Sequence, residues 1–570
     1  MKTAADLLSF SYQQSSNDSQ QTVTIPETDS TLSVTAVDPI FSEELPYFPI
    51  NENKDPIRNL TSEELLSDGI SSTKYPFDGF LNFHSLKICS SNAKQMSKFL
   101  QLTMGFEEIA FRGLENDSRL VGAHVVKNGE IFLEIVNTLE TVEDDNVLKF
   151  PYFENDLKKF KGIDKYDYLK DFKITTDDLI FDFVNSRIES LCYTNSTSSL
   201  NFGKKIYHKI LTSRSIKNSV NEFNDFILNT INNSEIIYND IMECTLIQKF
   251  LKKHSEGVMD ISFNVQDVDY IFNRAVSCGA GIIRLPKVLQ DEHGAVKLAT
   301  VTIPNTDIQH TLIQNLNYTG PFLPGYSVPI SPLHSGFQTH LSLLPPVRFL
   351  SLDHCVENYS WNQMMPQAKF YADIFGFHKF WSVDEQDIST GNTALRSIVM
   401  SSSNGEIKMP INEPVKTKMK GQIEEFNAFN GGPGIQHIAL KTNNIVGTVS
   451  SLIRRGIEFN PTSDNYYISL ESRLKNDDVL LYEDFQDLRK LNILVDFDPL
   501  TRNKKTKRCN YILQIFTKPL HDRPTLFIEI IQRHHHNGFG KGTFKGLFES
   551  IEEQQKARGT FVESSPTEES

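Results

Sequence analysis

The sequence has few cysteines, and none of them form a closely spaced pair. Its six cysteines are scattered over 570 residues, which excludes the common cysteine zinc motifs and does not fit a disulfide scaffold. No uninterrupted apolar run approaches the roughly 18 residues of a spanning helix, and the mean hydropathy is −0.32. The N-terminal stretch resembles neither a secretory signal nor a transit peptide. These absences predict a reduced, cytoplasmic protein that does not cross a membrane.

The sequence also has fewer basic than acidic residues. The chain has 57 lysines and arginines against 72 aspartates and glutamates, which gives a formal net charge of −15. So acidic a chain is a poor match to nucleic acid or to an anionic membrane surface. We therefore expect neither of them as a partner.

The length exceeds that of one ordinary domain, and composition divides the chain. Residues 1–70 and 559–570 are polar and lack hydrophobic periodicity, so they are predicted to be a disordered N-terminal extension and a disordered tail. Between them lie two ordered regions, 71–330 and 345–558. The first contains an Asn- and Ser-rich stretch at about 140–250, which we interpret as an insertion with partial structure.

The two ordered regions resemble each other, which indicates an internal repeat. Each contains short apolar strands followed by a helical segment that ends at a glycine. Three segments of the first region match three of the second: LNFHSLKI (81–88) with LSLDHCV (350–356), GVMDISFNV (257–265) with GIQHIALKT (434–442), and TLIQNLNY (311–318) with LFIEIIQR (526–533). Each half is thus predicted to contain two units of a strand, a helix and further strands.

The matched positions carry the residues that predict chemistry. The second half has His354, His437 and Glu529 there. Two imidazoles and one carboxylate form the facial triad that holds Fe(II) on one side and leaves positions open. A buried carboxylate in an apolar strand is costly unless it is paired or bound to metal. Singly, each residue is more simply a structural group, but together they predict a metal site.

The first half is predicted to lack that chemistry. We match His84, Asp260 and Gln314 to the three positions. Because glutamine is a poor ligand for this metal, that half is interpreted as a non-catalytic scaffold.

The C-terminal segment 544–558 has apolar residues at helical spacing. It is predicted to be a helix that either faces the core or forms a lid over the site.

Longer motifs resemble the 4-hydroxyphenylpyruvate dioxygenase family, in the vicinal oxygen chelate superfamily. They cover all of the second half and parts of the first. The motifs are FDGFLNFHSLKI (77–88), GVMDISFNVQDVDYIF (257–272), LNYTGPFLPGY (316–326), ALRSIVM (394–400), IKMPINEP (407–414), GGPGIQHIALKT (431–442), ILQIFTKP (512–519), DRPTLFIEIIQR (522–533) and NGFGKGTFKGLFESIEEQQ (537–555).

The resemblance implies an α+β fold of four βαβββ modules that form two open β-barrel domains, with a long insertion in the first. The N-terminal barrel would be non-catalytic, and the C-terminal barrel would carry the site and the lid helix. The family's iron ligands fall on His354, His437 and Glu529, which implies one Fe(II) per chain. Asn412, Gln422 and Gln436 match positions to which the resemblance gives a catalytic role. Its substrate contacts fall on Ser397, Asn412, Gln422, Gln514, Phe516, Phe527, Asn537, Phe539 and Phe544.

Gln436 conflicts with ideal strand alternation, which would turn it away from the face of His437. It would then act through an outer contact or through an irregularity of the strand.

The implied reaction converts 4-hydroxyphenylpyruvate and O2 to homogentisate and CO2 in tyrosine catabolism, carried out by a homo-oligomer, with a dimer expected. Two alternatives stay open. A 4-hydroxymandelate synthase would share the triad and the substrate, and an inactive two-barrel binding protein would share the fold.

Overall fold

The computed structural model describes residues 61–67, 77–116, 118, 120–139, 242–329, 336–384 and 389–564. The predicted N-terminal extension lies almost wholly outside these residues, as do most of the predicted insertion and residues 565–570. The described residues extend to 564, six positions past the predicted boundary at 558. There, the amide of Lys420 donates to the carbonyl of Val562, and Met419 forms a bridge with Glu563.

The described chain contains sixteen strands in two sheets. The first sheet contains β1 (Phe80–Cys89), β2 (Glu107–Arg112), β3 (Val121–Asn128), β4 (Ile131–Thr138), β5 (Gly257–Val265), β6 (Gly281–Asp291), β7 (Gly294–Thr302) and β8 (Gln309–Asn315). The second contains β9 (Leu352–Asn358), β10 (His378–Val383), β11 (Leu395–Ser401), β12 (Lys408–Pro414), β13 (Gly434–Lys441), β14 (Leu494–Asp498), β15 (Asn510–Phe516) and β16 (Phe527–His534).

Helices connect or cover these strands. They are α1 (Ser62–Leu65), α2 (Ala93–Met104), α3 (described over 242–254), α4 (Val268–Ser277), α5 (Gly336–Leu343), α6 (Met364–Phe375), α7 (Gln422–Asn430), α8 (Ile445–Arg454), α9 (Asp464–Asn476), α10 (Phe485–Lys490) and α11 (Phe544–Arg558).

The two sheets have the same strand order, which confirms the predicted repeat of four βαβββ modules. The first sheet runs β2-β3-β4-β1-β5-β8-β7-β6 and the second β10-β11-β12-β9-β13-β16-β15-β14. In each, the first strands of the two modules pair antiparallel at the centre, β1 with β5 and β9 with β13. The first strand of each module also pairs parallel with the last, as β13 does with β16. Three neighbouring strands, β9, β13 and β16, therefore carry the predicted metal ligands.

Local sequence explains where these elements begin and end. Helix α2 starts at Asn92, whose side chain accepts from the amide of Gln95, and ends at Gly105 with φ +70°. Helix α6 ends in the same way at Gly376 with φ +71°. Glycine is the residue that adopts this left-handed conformation at little cost. The matching glycines are the repeat signal seen in the sequence.

Aromatic side chains join the two halves. Phe80 of β1 packs edge-on against Phe375 and Phe377 of the second half, with ring centroids 5.1 and 4.9 Å apart. Phe263 and Tyr371 belong to the same buried cluster. Edge-to-face packing adds to the free energy gained by burying the rings, so this shared core fixes one half against the other.

Two further features of the described part of the chain concern its cysteines and its helices. Its cysteines, Cys89, Cys244, Cys278, Cys355 and Cys509, are all free. Within the same residues, no helix is both long enough and apolar enough to span a membrane.

Candidate metal centre

His354, His437 and Glu529 meet on the inner face of the second sheet. Across the sheet, Ala439 of β13 pairs with His354 of β9 on one side and with Glu529 of β16 on the other. Both imidazoles point Nε2 at the same carboxylate oxygen: Glu529 Oε2 lies 3.2 Å from His354 and 3.3 Å from His437. One ligand atom from each residue lies within 4.8 Å of the others, and among the described residues no second such group occurs.

The three groups are buried, and their charges are coupled. Burial disfavours the anion of Glu529, but the two neighbouring imidazoles outweigh burial and lower its pKa to about 2. Burial likewise disfavours the cation of His354, yet Glu529 and Asp353 raise its pKa. Burial dominates at His437 and lowers the pKa. Anionic Glu529 and neutral His437 are donors that suit a divalent cation. Binding of the cation would displace the extra proton that the raised pKa of His354 favours on that imidazole.

Each candidate ligand is held from behind by a polar side chain. His354 Nδ1 donates to Asp353 Oδ1 at 2.8 Å, and His437 Nδ1 donates to Gln436 Oε1 at 3.0 Å. These bonds put the ring hydrogen on Nδ1, which leaves the Nε2 lone pair free for a metal. Glu529 Oε1 accepts from Gln514 Nε2 at 2.7 Å, so Oε2 is the oxygen that remains available.

Gln436 lies at a strand irregularity, one of the two arrangements anticipated for it. In the β9–β13 ladder, Ile435 pairs with Glu357 and His437 with the next residue, Val356, so Gln436 is an extra residue on β13. Such a bulge re-aims side chains. It lets Gln436 contact the adjacent His437 and donate to Gln422 Oε1 at 3.1 Å.

Phenylalanines line the group of ligands. Phe527 stacks on the imidazole of His437 with ring centroids 4.8 Å apart, and Phe516 meets the same ring edge-on at 5.9 Å. Phe539 meets His354 edge-on at 5.0 Å. All three rings are buried. The predicted residues Phe516, Phe527 and Phe539 thus lie at the ligands.

The remaining predicted contacts are more dispersed. Ser397 and Asn412 are buried and face each other as partners on β11 and β12, and Asn412 Nδ2 donates to Asn358 Oδ1 at 3.2 Å. Asn537 lies exposed on the turn after β16. Phe544 begins helix α11, and its side chain lies outside the described part of the structure.

Helix α11 packs across the open side of the second sheet. Leu547, Phe548 and Ile551 share one apolar cluster with Phe516 and Phe527. The helix is fixed at its far end by the Arg558–Glu425 ion pair, 2.8 Å between nitrogen and oxygen. At its near end, Thr543 Oγ1 donates to Gln514 Oε1 at 2.9 Å. The two predicted alternatives, a core-facing helix and a lid, are therefore compatible, because the apolar face of α11 packs against the phenylalanines that line the site.

The predicted matches in the first half are wrong in register at two of three positions. Because Phe263 pairs with Phe83 and Leu440 with Leu352, the residue equivalent to His354 is Ser85, not His84. Since Asp260 pairs with Gln309 and His437 with Phe527, the equivalent of Glu529 is Thr311, not Gln314.

The residues at these positions bond to each other or to a neighbour. Thr311 Oγ1 donates to Asp260 Oδ2 at 2.6 Å, and Ser262 Oγ donates to its other oxygen at 2.7 Å. Ser85 Oγ lies 2.8 Å from His84 Nδ1, and Gln314 caps helix α4 by accepting from the amide of Val268. The positions equivalent to the three ligands are therefore Ser85, Asp260 and Thr311, and the interpretation of this half as a non-catalytic scaffold stays a prediction.

Sequence reasoning missed three residues that support the site: Asp353, Arg533 and Thr543. The sequence did contain a signal for two of them, Arg533 and Asp353. Arg533 is four residues after Glu529 on one strand and so shares its face, while Asp353 immediately precedes His354. A buried arginine beside a buried aspartate indicates an ion pair, but alternation alone does not say which strands are neighbours.

Comparisons with known proteins identify the fold and the family. Residues 351–475 match the family model described as Glyoxalase/Bleomycin resistance protein/Dioxygenase superfamily. The fold is also similar to that of a mutant 4-hydroxymandelate synthase from Streptomyces coelicolor, with a TM-score of 0.55 at 22% identity, covering 84% of this chain and 99% of that one.

Curated relatives are closer in sequence. A 4-hydroxyphenylpyruvate dioxygenase of Aspergillus fumigatus is 36% identical over 497 residues, which cover 87% of this chain and 97% of the relative. That of Danio rerio is 36% identical, with 85% and 93% covered. That of Yarrowia lipolytica is 46% identical over 316 residues, with 55% and 76% covered. With this identity over nearly the whole length of such relatives, and with a buried group of two histidines and a glutamate that could bind a metal, the chain belongs to the 4-hydroxyphenylpyruvate dioxygenase family of enzymes.

Proposed function

We propose that this chain binds one Fe(II) through His354, His437 and Glu529 and converts 4-hydroxyphenylpyruvate and O2 to homogentisate and CO2. The observation that carries the proposal is the convergence of both Nε2 atoms on one oxygen of Glu529, at 3.2 and 3.3 Å. In a dioxygenase family, two imidazoles and a carboxylate on one face are the donor set of non-haem iron.

Two imidazoles and one carboxylate suit a borderline divalent metal, and the dioxygenase relatives favour iron as that metal. No cysteine belongs to the group, and Cys355, which directly follows His354 on β9, points to the opposite face of the strand by alternation. The facial arrangement would leave positions open for a 2-oxoacid and O2, and iron held in this way supplies the redox chemistry of decarboxylation and ring hydroxylation.

The protein's own contribution is orientation. Gln514 holds Glu529 through Oε1, while Asp353 and Gln436 hold the two imidazoles through Nδ1. Each ligand therefore arrives with its donor atom already aimed, so less order has to be created when the metal and substrate bind.

Substrate would be held between apolar rings and neutral polar groups. Phe516 and Phe527 flank His437, and we assign them, with Phe539 and the neighbouring Phe544, to the aromatic ring. Neutral side chains can orient a phenol or a carboxylate without adding charge to a buried site. That role is proposed for Ser397, Asn412, Gln422, Gln436, Gln514 and Asn537.

Helix α11 excludes water from this space. Its residues Leu547, Phe548 and Ile551 complete the apolar cluster that contains Phe516 and Phe527. A covered site protects reactive intermediates and strengthens the polar contacts within it. Entry of substrate would require this cover to move.

The test is oxygen uptake by the purified chain with Fe(II) and 4-hydroxyphenylpyruvate, followed by chromatography of the product. Homogentisate with equimolar CO2 supports the proposal. 4-Hydroxymandelate would identify the synthase activity instead, and the absence of substrate-dependent oxygen uptake would indicate an inactive two-barrel protein. His354→Ala, measured in parallel, is the control for oxygen consumed by free iron.

The setting completes the proposal. We place the reaction in tyrosine catabolism in the cytoplasm, with the chain acting as a homodimer. The five free cysteines of the described chain suit a reducing compartment. Light scattering of the purified protein and localisation of a tagged chain would test the two points separately.

A further inference from the structure

Arg533, near the end of β16, contacts Asp353, Phe539 and the turn that follows the strand. Its side chain is only 10% exposed. Nε donates to Asp353 Oδ2 at 2.8 Å, and a terminal nitrogen donates to Asp353 Oδ1 at 2.7 Å. This two-point geometry matches the planar guanidinium to the carboxylate and fixes the orientation of both.

Asp353, held in this orientation, in turn binds His354. The same Oδ1 that accepts from Arg533 also accepts from His354 Nδ1, at 2.8 Å. The carboxyl group is 3% exposed, so without the guanidinium it would be an uncompensated buried charge. Arg533 therefore keeps Asp353 in the form and position that hold the ring hydrogen of His354 on Nδ1.

Arg533 also reaches the other neighbour of the same imidazole. Its guanidinium lies 5.2 Å from the ring centroid of Phe539, which meets His354 edge-on at 5.0 Å. A cation over an aromatic face is attracted to it. Both groups that confine the His354 ring, Asp353 and Phe539, are thus held by one side chain.

The remaining donors of Arg533 bind the turn that follows β16. The second terminal nitrogen donates to the carbonyl of Gly538 at 2.6 Å and to that of His536 at 3.1 Å. This turn leads through Phe539 into helix α11, the cover of the site. The same residue therefore contacts the support of a metal ligand and the start of the cover.

We propose that Arg533 is a positioning residue, which acts through Asp353 to present His354 Nε2 to the metal and ties that orientation to the turn at 535–538. The inference rests on the proposed function insofar as His354 binds the metal. The two imidazoles differ in this respect, because the Nδ1 of His437 donates to the neutral amide of Gln436 and not to a carboxylate. His354 should be the more basic donor of the two, and its partners should affect metal affinity more than the amide does.

The experiment measures Co(II) binding by the full-length apo chain, through competition with a chromophoric chelator and through the visible spectrum of the bound metal. Arg533→Met and Asp353→Asn should each weaken Co(II) binding about 10- to 100-fold, the usual effect of losing an outer partner of a ligand. Arg533→Lys should fall between wild type and Arg533→Met, because lysine keeps the charge but not the two-point contact. The spectrum should shift in all three.

A double variant tests the pathway. If Arg533 acts through Asp353, combining Arg533→Met with Asp353→Asn should cost little more than Asp353→Asn alone. The matched control is Arg112→Met, which removes the buried bridge to Glu243 in the first half and should leave Co(II) affinity unchanged. If Arg533→Met fails to fold, Arg533→Lys and Asp353→Asn decide the question.

Two results would overturn the inference, and they are distinguishable. Wild-type Co(II) binding with variants that bind within twofold and keep the wild-type spectrum would reject the role of Arg533 alone. A wild-type chain that binds no Co(II) would reject the metal site of the proposed function, and this inference with it.

Discussion

Glu357 should make the protein less stable as the pH rises, which is the reverse of the usual carboxylate effect. It lies fully buried on β9, between the hydroxyls of Tyr371 at 2.6 Å and Tyr359 at 2.9 Å. Tyr371 Oη also lies 2.6 Å from His310 Nε2. A single hydroxyl hydrogen cannot serve both the carboxylate and the imidazole, so a further proton must reside on one of them.

The environment favours Glu357 as the site of that proton. Burial raises the pKa of Glu357 to about 7, although both tyrosines partly oppose it. Burial lowers the pKa of His310 to about 4. Because its Nδ1 donates to the carbonyl of Ile261, a neutral His310 leaves Nε2 as an acceptor for Tyr371. The group is then uncharged throughout, as a buried cluster between the two halves requires.

The magnitude follows from linkage. Between the unfolded pKa of 4.5 and the folded pKa of about 7, the folded chain holds a proton that the unfolded chain has released. The free energy of unfolding therefore falls as the pH rises through this window, by about 3 kcal/mol for roughly 2.5 pKa units. Above the folded pKa, this contribution no longer changes.

The perturbation is Glu357→Gln, which removes the ionisable group and keeps the shape. Stability of both proteins is measured by urea denaturation from pH 4 to 8, with the fluorescence of Trp361 and Trp381 in the same half as the probe. Relative to wild type, the variant should gain about 3 kcal/mol between pH 4 and 8. His310 contributes to both curves with the opposite slope, so only their difference isolates Glu357.

A matched control is Glu292→Gln, whose side chain is 86% exposed on the turn between β6 and β7. Its difference curve should be flat. A difference for Glu357→Gln that also stays constant within about 0.5 kcal/mol would refute the reasoning. It would mean that the proton sits on His310 and that the half-to-half contact is a buried ion pair.

Three further predictions concern the site. His354→Ala should reduce metal affinity by more than the roughly 10- to 100-fold expected for an outer partner, while Asp260→Asn in the first half should leave the stoichiometry at one metal, as measured by metal analysis after dialysis. Thr543→Val should lower kcat/KM and uncouple oxygen uptake from product formation, because the start of α11 loses its bond to Gln514, and Thr543→Ser should restore both. Gly540→Ala should destabilise by about 1–3 kcal/mol and lower the melting temperature, since φ is +83° and a Cβ would lie 2.1 Å from Gln514 Oε1; an unchanged melting temperature would show that the turn relaxes.

The ligand group could be predicted because it depends on features that the sequence displays. Strand, helix and glycine recur in the same order in both halves, and this order places β9, β13 and β16 side by side. Once the strands are neighbours, His354, His437 and Glu529 need only share a face. A long motif match then pointed to the same three residues independently.

The register of the repeat could not be predicted from alternation. Bulges add a residue to one strand without disturbing its apolar pattern, and shifts occur between Phe83 and Ser85 and between Ile435 and His437. The bulge at Phe83–Ser85 has its equivalent at Leu352–His354, so it was the match of one histidine to another that selected His84 in place of Ser85. Gln436 shows the useful side of the same irregularity, since the bulge brings it to His437.

Contacts between distant segments were also out of reach. The Arg533–Asp353 pair joins residues 180 positions apart, and neither side chain indicates its partner by spacing. Helix α3 is a second case, because part of it fell within the predicted insertion. Its residue Glu243 is buried and accepts from Lys87 Nζ at 2.6 Å. Side chains that pair across the fold become visible only when the topology is known.

The same contacts explain why the described part of the first half has no such ligand set at the equivalent positions. Lys87 pairs across the sheet with Asp260, and Val356 pairs with His437. Because Asp260 and His437 are equivalent, Lys87 occupies the place that Val356 has in the second half. An ammonium group beside Asp260 opposes a divalent cation by charge. Lys87 is in turn bound by Glu243 of α3. The concave face is therefore covered by the apolar cluster of α11 in the second half and by a buried ion pair in the first. The two halves thus use the same concave face differently: three candidate ligand side chains meet on it in the second half, whereas the Lys87–Glu243 ion pair fills it in the described part of the first half.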